Sequence, residues 1–317
     1  MVGMDGVLII DKPAGMTSHD VVARVRKITS HRRVGHTGTL DPFATGVLVV
    51  LVGGATRLAQ FLSGAEKEYE AVVRLGFATD TGDITGTRVT NFTTETHRHT
   101  EIHREEIEAA LVSLRGEIEQ TPPMYSAKKV GGRKLYELAR RGEEIERKPV
   151  RVNINAFETL GHDDARLTPD DHGSHDLKVR VVCSAGTYVR TLAEDFGKRL
   201  GVGAHVAELR RTRAGQFKIE DAITLDRLDE EARSGSLAQV CITPDAALSH
   251  LPGFDLTPND ARRVGQGLDL QIEEANPSHW PNGQTVRLRD TDGRLIAVGI
   301  YDEDSRIVHP QVVITIA

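Results

Sequence analysis

The hydrophobic period of this chain changes repeatedly between strand and helix without settling into a repeat. That irregularity constrains the fold more than any other feature of the sequence. Val7-Leu-Ile-Ile-Asp11 reads as a buried strand running into the Lys12-Pro13-Ala14-Gly15 turn. Ser18 reads as the N-cap of a helix whose apolar positions are Val21, Val22, Val25 and Ile28. An apolar strand follows at Val47 to Val52, and Tyr69, Ala71, Val73 and Leu75 alternate as a second. A helical face at Ile107, Ala110, Leu111 and Leu114 precedes strand-like alternations at Val152 to Ala156 and at Leu177 to Cys183. Val189, Leu192, Ala193, Phe196 and Leu200 then form another helical stripe, with Gly201 placed to end it. Strands and helices mixed without a βαβ period predict an α+β fold and argue against a doubly wound one. The polar, acidic stretch from Asp226 to Ser236 places a domain boundary, giving units at about 1–235 and 241–317. In the second unit, Asp290-Thr-Asp-Gly293 between two apolar runs is a hairpin signal, so that unit is expected to be small and mainly β.

Several classes of protein are excluded early. No apolar run approaches the roughly 18 residues of a membrane helix, and the N-terminus lacks the pattern of a secretory signal. A cytoplasmic, membrane-free protein is expected. Cys183 and Cys241 alone cannot build a disulfide framework or a cysteine zinc cluster. Net charge is -6, yet basic residues outnumber acidic ones seven to four in residues 1–60, eight to four in 121–150 and nine to three in 178–218. Three cationic segments in an acidic chain suit a polyanion bound on one face, although scattered solvated charges would give the same count.

The densest unusual segment is Gly35-His-Thr-Gly-Thr-Leu-Asp-Pro-Phe-Ala-Thr-Gly46. Pro42 restricts Asp41 to extended geometry, and the glycines permit close approach, so Asp41 is presented on a stiffened loop. Such an aspartate could serve as nucleophile or general base. From the loop alone, an Asx-turn is the favoured explanation.

Gly35-His36-x-Gly38-x-Leu40-Asp41-Pro42-x-Ala44-x-Gly46-x-Leu48 resembles the signature of the TruB family of RNA pseudouridine synthases. Five further segments match in order: Val7 to Ser18, Lys67-Glu-Tyr69, Met124-Tyr-Ser-Ala-Lys128, Cys183-Ser-x-Gly186-Thr-Tyr188-x-Arg190-Thr191 and His205-Val-x-x-Leu209-Arg210-Arg211. Together they span residues 7 to about 218. The resemblance implies a pseudouridine synthase fold, with a mixed, largely antiparallel central sheet flanked by helices, and isomerisation of a uridine in RNA. The C1'–N1 bond breaks, the uracil turns, and C1' rejoins through C5, without metal or organic cofactor. It places Asp41 as the nucleophile, Tyr69 as the aromatic stacked on the base and a candidate for proton transfer at C5, and Arg190 as the partner of Asp41, lowering its pKa. Tyr188 and Leu209 would line the uracil pocket, and His36 would contact RNA where the flipped base leaves. Lys12 and Pro13 would support the site, while Lys128, Lys129, Arg210 and Arg211 would meet phosphates. A target base must leave its stack for this chemistry. Attack at C6 of uracil and attack at C1' both remain open.

Within the family, the insertion at about 121–150 resembles the tRNA-gripping segment of the bacterial enzyme, which acts at position 55 in the T-loop. The partner expected is therefore the T-arm of tRNA, bound by a monomer needing no obligatory protein partner. Residues 241–317 resemble a PUA-like RNA-binding module only weakly, through Arg262-Arg-Val-Gly-Gln-Gly267 and Pro281-Asn-Gly283. The rival readings are a guide-RNA-dependent relative and a non-catalytic RNA-binding protein on the same scaffold. The stretches 91–103 and 161–176, rich in His, read as surface insertions; His97, His99, His103, His172 and His175 in polar loops read as solvated side chains, not metal ligands. Gly131-Gly-Arg-Lys134 lacks the spacing of a phosphate-binding P-loop.

Overall fold

The computed structural model describes residues 5–89, 102–126, 128–139, 141–143, 145–161, 166–167, 174–272 and 280–314. Nine strands form the main sheet. Its central path runs Gly6–Lys12, Thr45–Val52, Ala204–Ala214, Lys67–Leu75, His175–Cys183, Val150–Thr159 and Gly116–Gln120, with Val34–Thr37 and Phe217–Lys218 pairing off it. Every pairing in this sheet is antiparallel except one. The Ala204–Ala214 strand runs parallel to Thr45–Val52 over Arg210–Thr45 and Arg211–Gly46 alone. The fold is thus α+β with the mixed, largely antiparallel sheet expected.

Helices cover the two halves of this sheet differently. Ser18–Thr29 and Leu225–Ser234 pack a core of Leu8, Ile10, Val22, Leu48 and Leu228 on one end. Arg104–Val112 and Val189–Arg199 bury Phe157, Leu111, Phe196 and Val73 toward the other. A second, five-stranded sheet, Gly253–Asp255, Thr285–Arg289, Leu295–Asp302, Ile307–Val313 and Leu270–Gln271, carries the helix Pro258–Gly265 and its own core of Leu256, Val264, Val286 and Leu288. This is the small, mainly β unit expected in the C-terminal part of the chain. It is not isolated from the main sheet: Val298 and Ile314 share a core with Val7, Val49 and Leu58, and Ile242 exchanges backbone hydrogen bonds of 2.8 and 2.9 Å with Val7.

Three local readings change. The N-cap of the first helix is Thr17, whose hydroxyl takes the N–H of Asp20 while the Asp20 carboxylate takes the N–H of Thr17, a reciprocal cap. Ser18 is left to bond elsewhere, on the catalytic-signature loop. Ile102–His103 pairs with Arg166–Leu167, joining the two insertions in a short ladder. His175 is not a solvated loop side chain: it opens the strand His175–Cys183 opposite Leu75 and is buried. Residues 91–101, 162–165 and 168–173, with His97, His99 and His172, lie outside the described residues.

The one parallel pairing between strands of the main sheet is where the Asp41 loop meets it, and Gly46 makes it possible. Its φ is +99°, and an added Cβ would fall 2.2 Å from the Arg211 carbonyl oxygen. Gly46→Ala is expected to lower unfolding free energy by about 2–3 kcal/mol, read from urea denaturation, because overpacking adds to backbone strain at positive φ.

Candidate active site

Asp41 is held by its neighbours on both sides. The Leu40 N–H donates to Ser18 Oγ at 2.9 Å, and that hydroxyl donates back to the Leu40 carbonyl at 3.2 Å. The Pro42 carbonyl accepts from the Gly15 N–H at 2.8 Å and from Lys12 Nζ at 3.2 Å. The loop conformation is therefore fixed from Leu40 to Pro42 before any substrate binds, which is the preorganisation a nucleophile requires.

The carboxylate meets one guanidinium in a fork. Arg190 Nε lies 2.9 Å from Asp41 Oδ2, and Arg190 Nη2 donates to Oδ1 at 3.2 Å. Arg190 is 4% exposed and further engaged: Nη1 donates to the Thr81 carbonyl at 2.7 Å and lies 3.4 Å from Asp83 Oδ2, and Nη2 donates to the Tyr125 carbonyl at 2.7 Å. An arginine in the first turn of Val189–Arg199 opposes the helix dipole. Two carboxylates and two carbonyls compensate it. Asp41 itself keeps 32% of its side-chain surface exposed, so one buried cation aims a partly open carboxylate at the cavity. The expected depression of the Asp41 pKa does not hold. Burial in the cleft dominates and raises it, Arg190 opposes, and the second carboxylate, Asp83, adds to the rise.

A cavity of about 290 Å³ opens in front of this pair, walled by Tyr69, Tyr188, Leu209, Lys67 and Arg211. Sheet register assembles the wall. Tyr69 lies opposite Val181 on one side and Arg211 on the other, and Leu209 lies opposite Ala71. Alternation along Lys67–Leu75 puts Lys67 and Tyr69 on the same face. Tyr188 is fixed through its backbone: its N–H donates to Gln120 Oε1 at 3.0 Å, and its carbonyl accepts from Gln120 Nε2 at 3.3 Å. Burial raises the phenol pKa of both tyrosines, so both are neutral donors at ordinary pH.

The other residues expected at the site separate by position. Arg211 is no surface phosphate contact. It is 1% exposed, with Nε donating to the Val47 carbonyl at 2.7 Å and Nη2 to the Gly38 carbonyl at 2.8 Å, and it belongs to the cavity wall. Arg210 points the other way, because neighbours on a strand alternate, and forks onto Asp11 at 3.1 and 2.8 Å. Lys12 is fully buried, donates also to the Pro13 carbonyl at 2.9 Å, and supports the Asp41 loop without lining the cavity. Burial lowers its pKa to about 8. His36, on Val34–Thr37, is not part of the cavity wall and lies edge-on to His19 at 5.5 Å; burial lowers its pKa to about 4, so it stays neutral. Lys128 lies outside the cavity in the 121–150 segment, its carbonyl accepting from the Leu135 N–H. For Lys129 only the backbone is described, pairing with Lys134. Asp83, Gln120 and Lys67 are residues the sequence did not single out for the site. Among the described residues no cluster of three His, Cys, Asp or Glu could hold a metal ion.

The chain matches two family models: TruB family pseudouridylate synthase, N-terminal domain, over residues 26–189, and tRNA pseudouridylate synthase B C-terminal domain over residues 190–248. The tRNA pseudouridine synthase B of Geobacillus thermodenitrificans is 46% identical over 269 residues, covering 85% of this chain and 86% of that protein. That of Bacillus pumilus is 41% identical over 297 residues, covering 93% and 92%. Among solved structures, an H/ACA ribonucleoprotein bound to a substrate RNA containing 2'-deoxyuridine superposes with a TM-score of 0.72 at 27% identity, covering 98% of this chain and 85% of that one. An archaeal box H/ACA Nop10–Cbf5 complex gives 0.69 at 26% identity, covering 98% and 86%.

Proposed function

The chain belongs to the TruB family of pseudouridylate synthases, and on that premise we propose that it isomerises uridine to pseudouridine in tRNA, at position 55 in the T-loop, with Asp41 as nucleophile. The observation that carries this reading is the fork between Asp41 and Arg190 at the mouth of a cavity with an aromatic wall. A binding protein has no need of a buried arginine aiming a carboxylate at an open pocket.

The roles follow from position. Uridine flips out of the T-loop into the cavity, its ring against Tyr69, with Tyr188 and Leu209 closing the sides. Asp41 attacks, and Arg190 keeps its carboxylate ionised and oriented against the burial that would protonate it. Lys12 and Ser18 hold the loop on which the attack depends. The tRNA is taken up by a monomer across the cationic segments, with His36, Lys128 and neighbouring basic residues near its backbone, residues 1–235 forming the catalytic unit and 241–317 a second RNA contact. The reaction is an isomerisation and draws on no redox cofactor.

The test is site-resolved pseudouridine mapping on an unmodified tRNA transcript incubated with purified protein alone. A single new signal in the T-loop is expected. Product at another site would overturn the position, and product only after adding a guide RNA would transfer the chain to the guide-dependent class.

A further inference from the structure

Lys67 and Arg211 are two buried cations lining the same cavity, and among the described residues neither has a carboxylate partner. Lys67 is 7% exposed, and Nζ donates to the Ser63 carbonyl at 2.6 Å and to the Ala65 carbonyl. Arg211 donates to the Val47 and Gly38 carbonyls and lies beside the Tyr69 phenol. The two side chains are neighbours: a Cβ built on Gly38 would lie 3.3 Å from Arg211 Nη1 and 3.8 Å from Lys67 Cε. By contrast, Arg190 in the same cavity is matched by Asp41 and Asp83. Burying one unmatched charge is costly, and burying two of like sign together is more so. Such an arrangement favours a bound group that carries negative charge.

We propose that Lys67 and Arg211 form an anion seat that stabilises the uracil ring while it carries the displaced electron pair. The inference rests on the reading of the chain as a uridine isomerase and extends it to the charge on the detached base. When the C1'–N1 bond breaks, its electron pair stays on uracil and spreads over N1, O2 and O4. If Asp41 first adds at C6, the pair from the C5–C6 double bond moves toward O4. Either route puts negative charge on the ring carbonyl oxygens, where two preorganised donors in the cavity wall act strongly. The ring then gives an electron pair from C5 to C1', the bond to Asp41 at C6 or C1' breaks with its pair returning to the carboxylate, C5 loses its proton, and N1 gains one. No oxidant or reductant enters.

Burial, reinforced by Arg211, lowers the Lys67 pKa to about 8. The groups that face it are Arg211 from Ala204–Ala214, Cys183 from His175–Cys183, Tyr69 on its own strand, and the two turn carbonyls. Loss of its charge should therefore weaken catalysis as pH rises through about 8.

The test is single-turnover pseudouridine formation on the tRNA transcript by wild type, Lys67→Met and Lys67→Arg, with tRNA affinity and thermal unfolding measured alongside. Lys67→Met is expected to lose roughly 10²–10³-fold in rate with tRNA affinity unchanged. Lys67→Arg should recover most of that rate and hold it above the pH at which wild type declines, because a guanidinium stays protonated there. A wild type that makes no product removes the underlying reading and this proposal with it. An active wild type with an undiminished Lys67→Met overturns the proposal alone. So does a Lys67→Arg that keeps the alkaline decline, which would then belong to another group such as Lys12, or one as impaired and as unstable as Lys67→Met.

Discussion

Asp41→Asn is expected to reduce pseudouridine formation by roughly 10⁴-fold or more while tRNA binding persists. The substitution keeps the shape and one hydrogen-bond acceptor for Arg190 but removes the charged oxygen to which the attack is assigned in the proposed reaction. In the wild type, burial raises the Asp41 carboxyl above its ordinary value of 3.8, so activity should fall on acidification earlier than an exposed aspartate would predict. The same shift sets the stability outcome. A carboxyl whose folded pKa is raised contributes stability that is complete below the unfolded value and is lost as pH rises through the folded one. Above the folded value that contribution is gone, so there Asp41→Asn should unfold at the same or a higher urea concentration than wild type. Single-turnover assays and urea denaturation on the same preparation check both halves. A variant that still forms product removes Asp41 from the nucleophile's role.

The stabilising arrangement around Asp41 is only partly legible in the chain. Local period discloses most strands and helices because the core faces of Val47 to Val52, Tyr69 to Leu75 and Val189 to Leu200 are strongly apolar. It does not disclose Ala204–Ala214, an eleven-residue strand at the centre of the sheet. Charged residues from Glu208 to Arg213 and two register shifts break its alternation, and Arg211 is turned inward where an apolar residue would be expected. Lys67 leaves a readable trace: the inward alternation Tyr69, Ala71, Val73, Leu75, extended back by two, lands on a lysine at a core position. Asp83 and Gln120 leave none, since their roles come from long-range packing, against Arg190 and the Tyr188 backbone. Desolvation outweighing an adjacent cation at Asp41 is likewise a property of depth, which no spacing encodes.

Arg190→Met should cost more than activity. Its side chain joins Asp41, Asp83, Thr81 and Tyr125 through a single guanidinium. Methionine fills most of the volume but leaves Asp83, whose side chain is 6% exposed, without this counter-charge, and two carbonyls without their donor. Removing one member of a buried ion pair costs about 3–5 kcal/mol, chiefly through the charge left behind. The Asp41 carboxyl loses the neighbour that most strongly opposes its burial, so its pKa should climb further and the acid limb of the rate should move to higher pH. Arg190→Lys separates the two contributions. It keeps the charge and loses the fork, so it should recover more stability than rate, since a point charge cannot hold both carboxylate oxygens at once. Pairing Arg190→Met with Asp83→Asn should restore part of the lost stability and none of the rate, because the double variant removes the stranded charge but not the need to aim Asp41. A double variant no more stable than Arg190→Met would mean that the lost carbonyl contacts, and not the unpaired Asp83, dominate the cost.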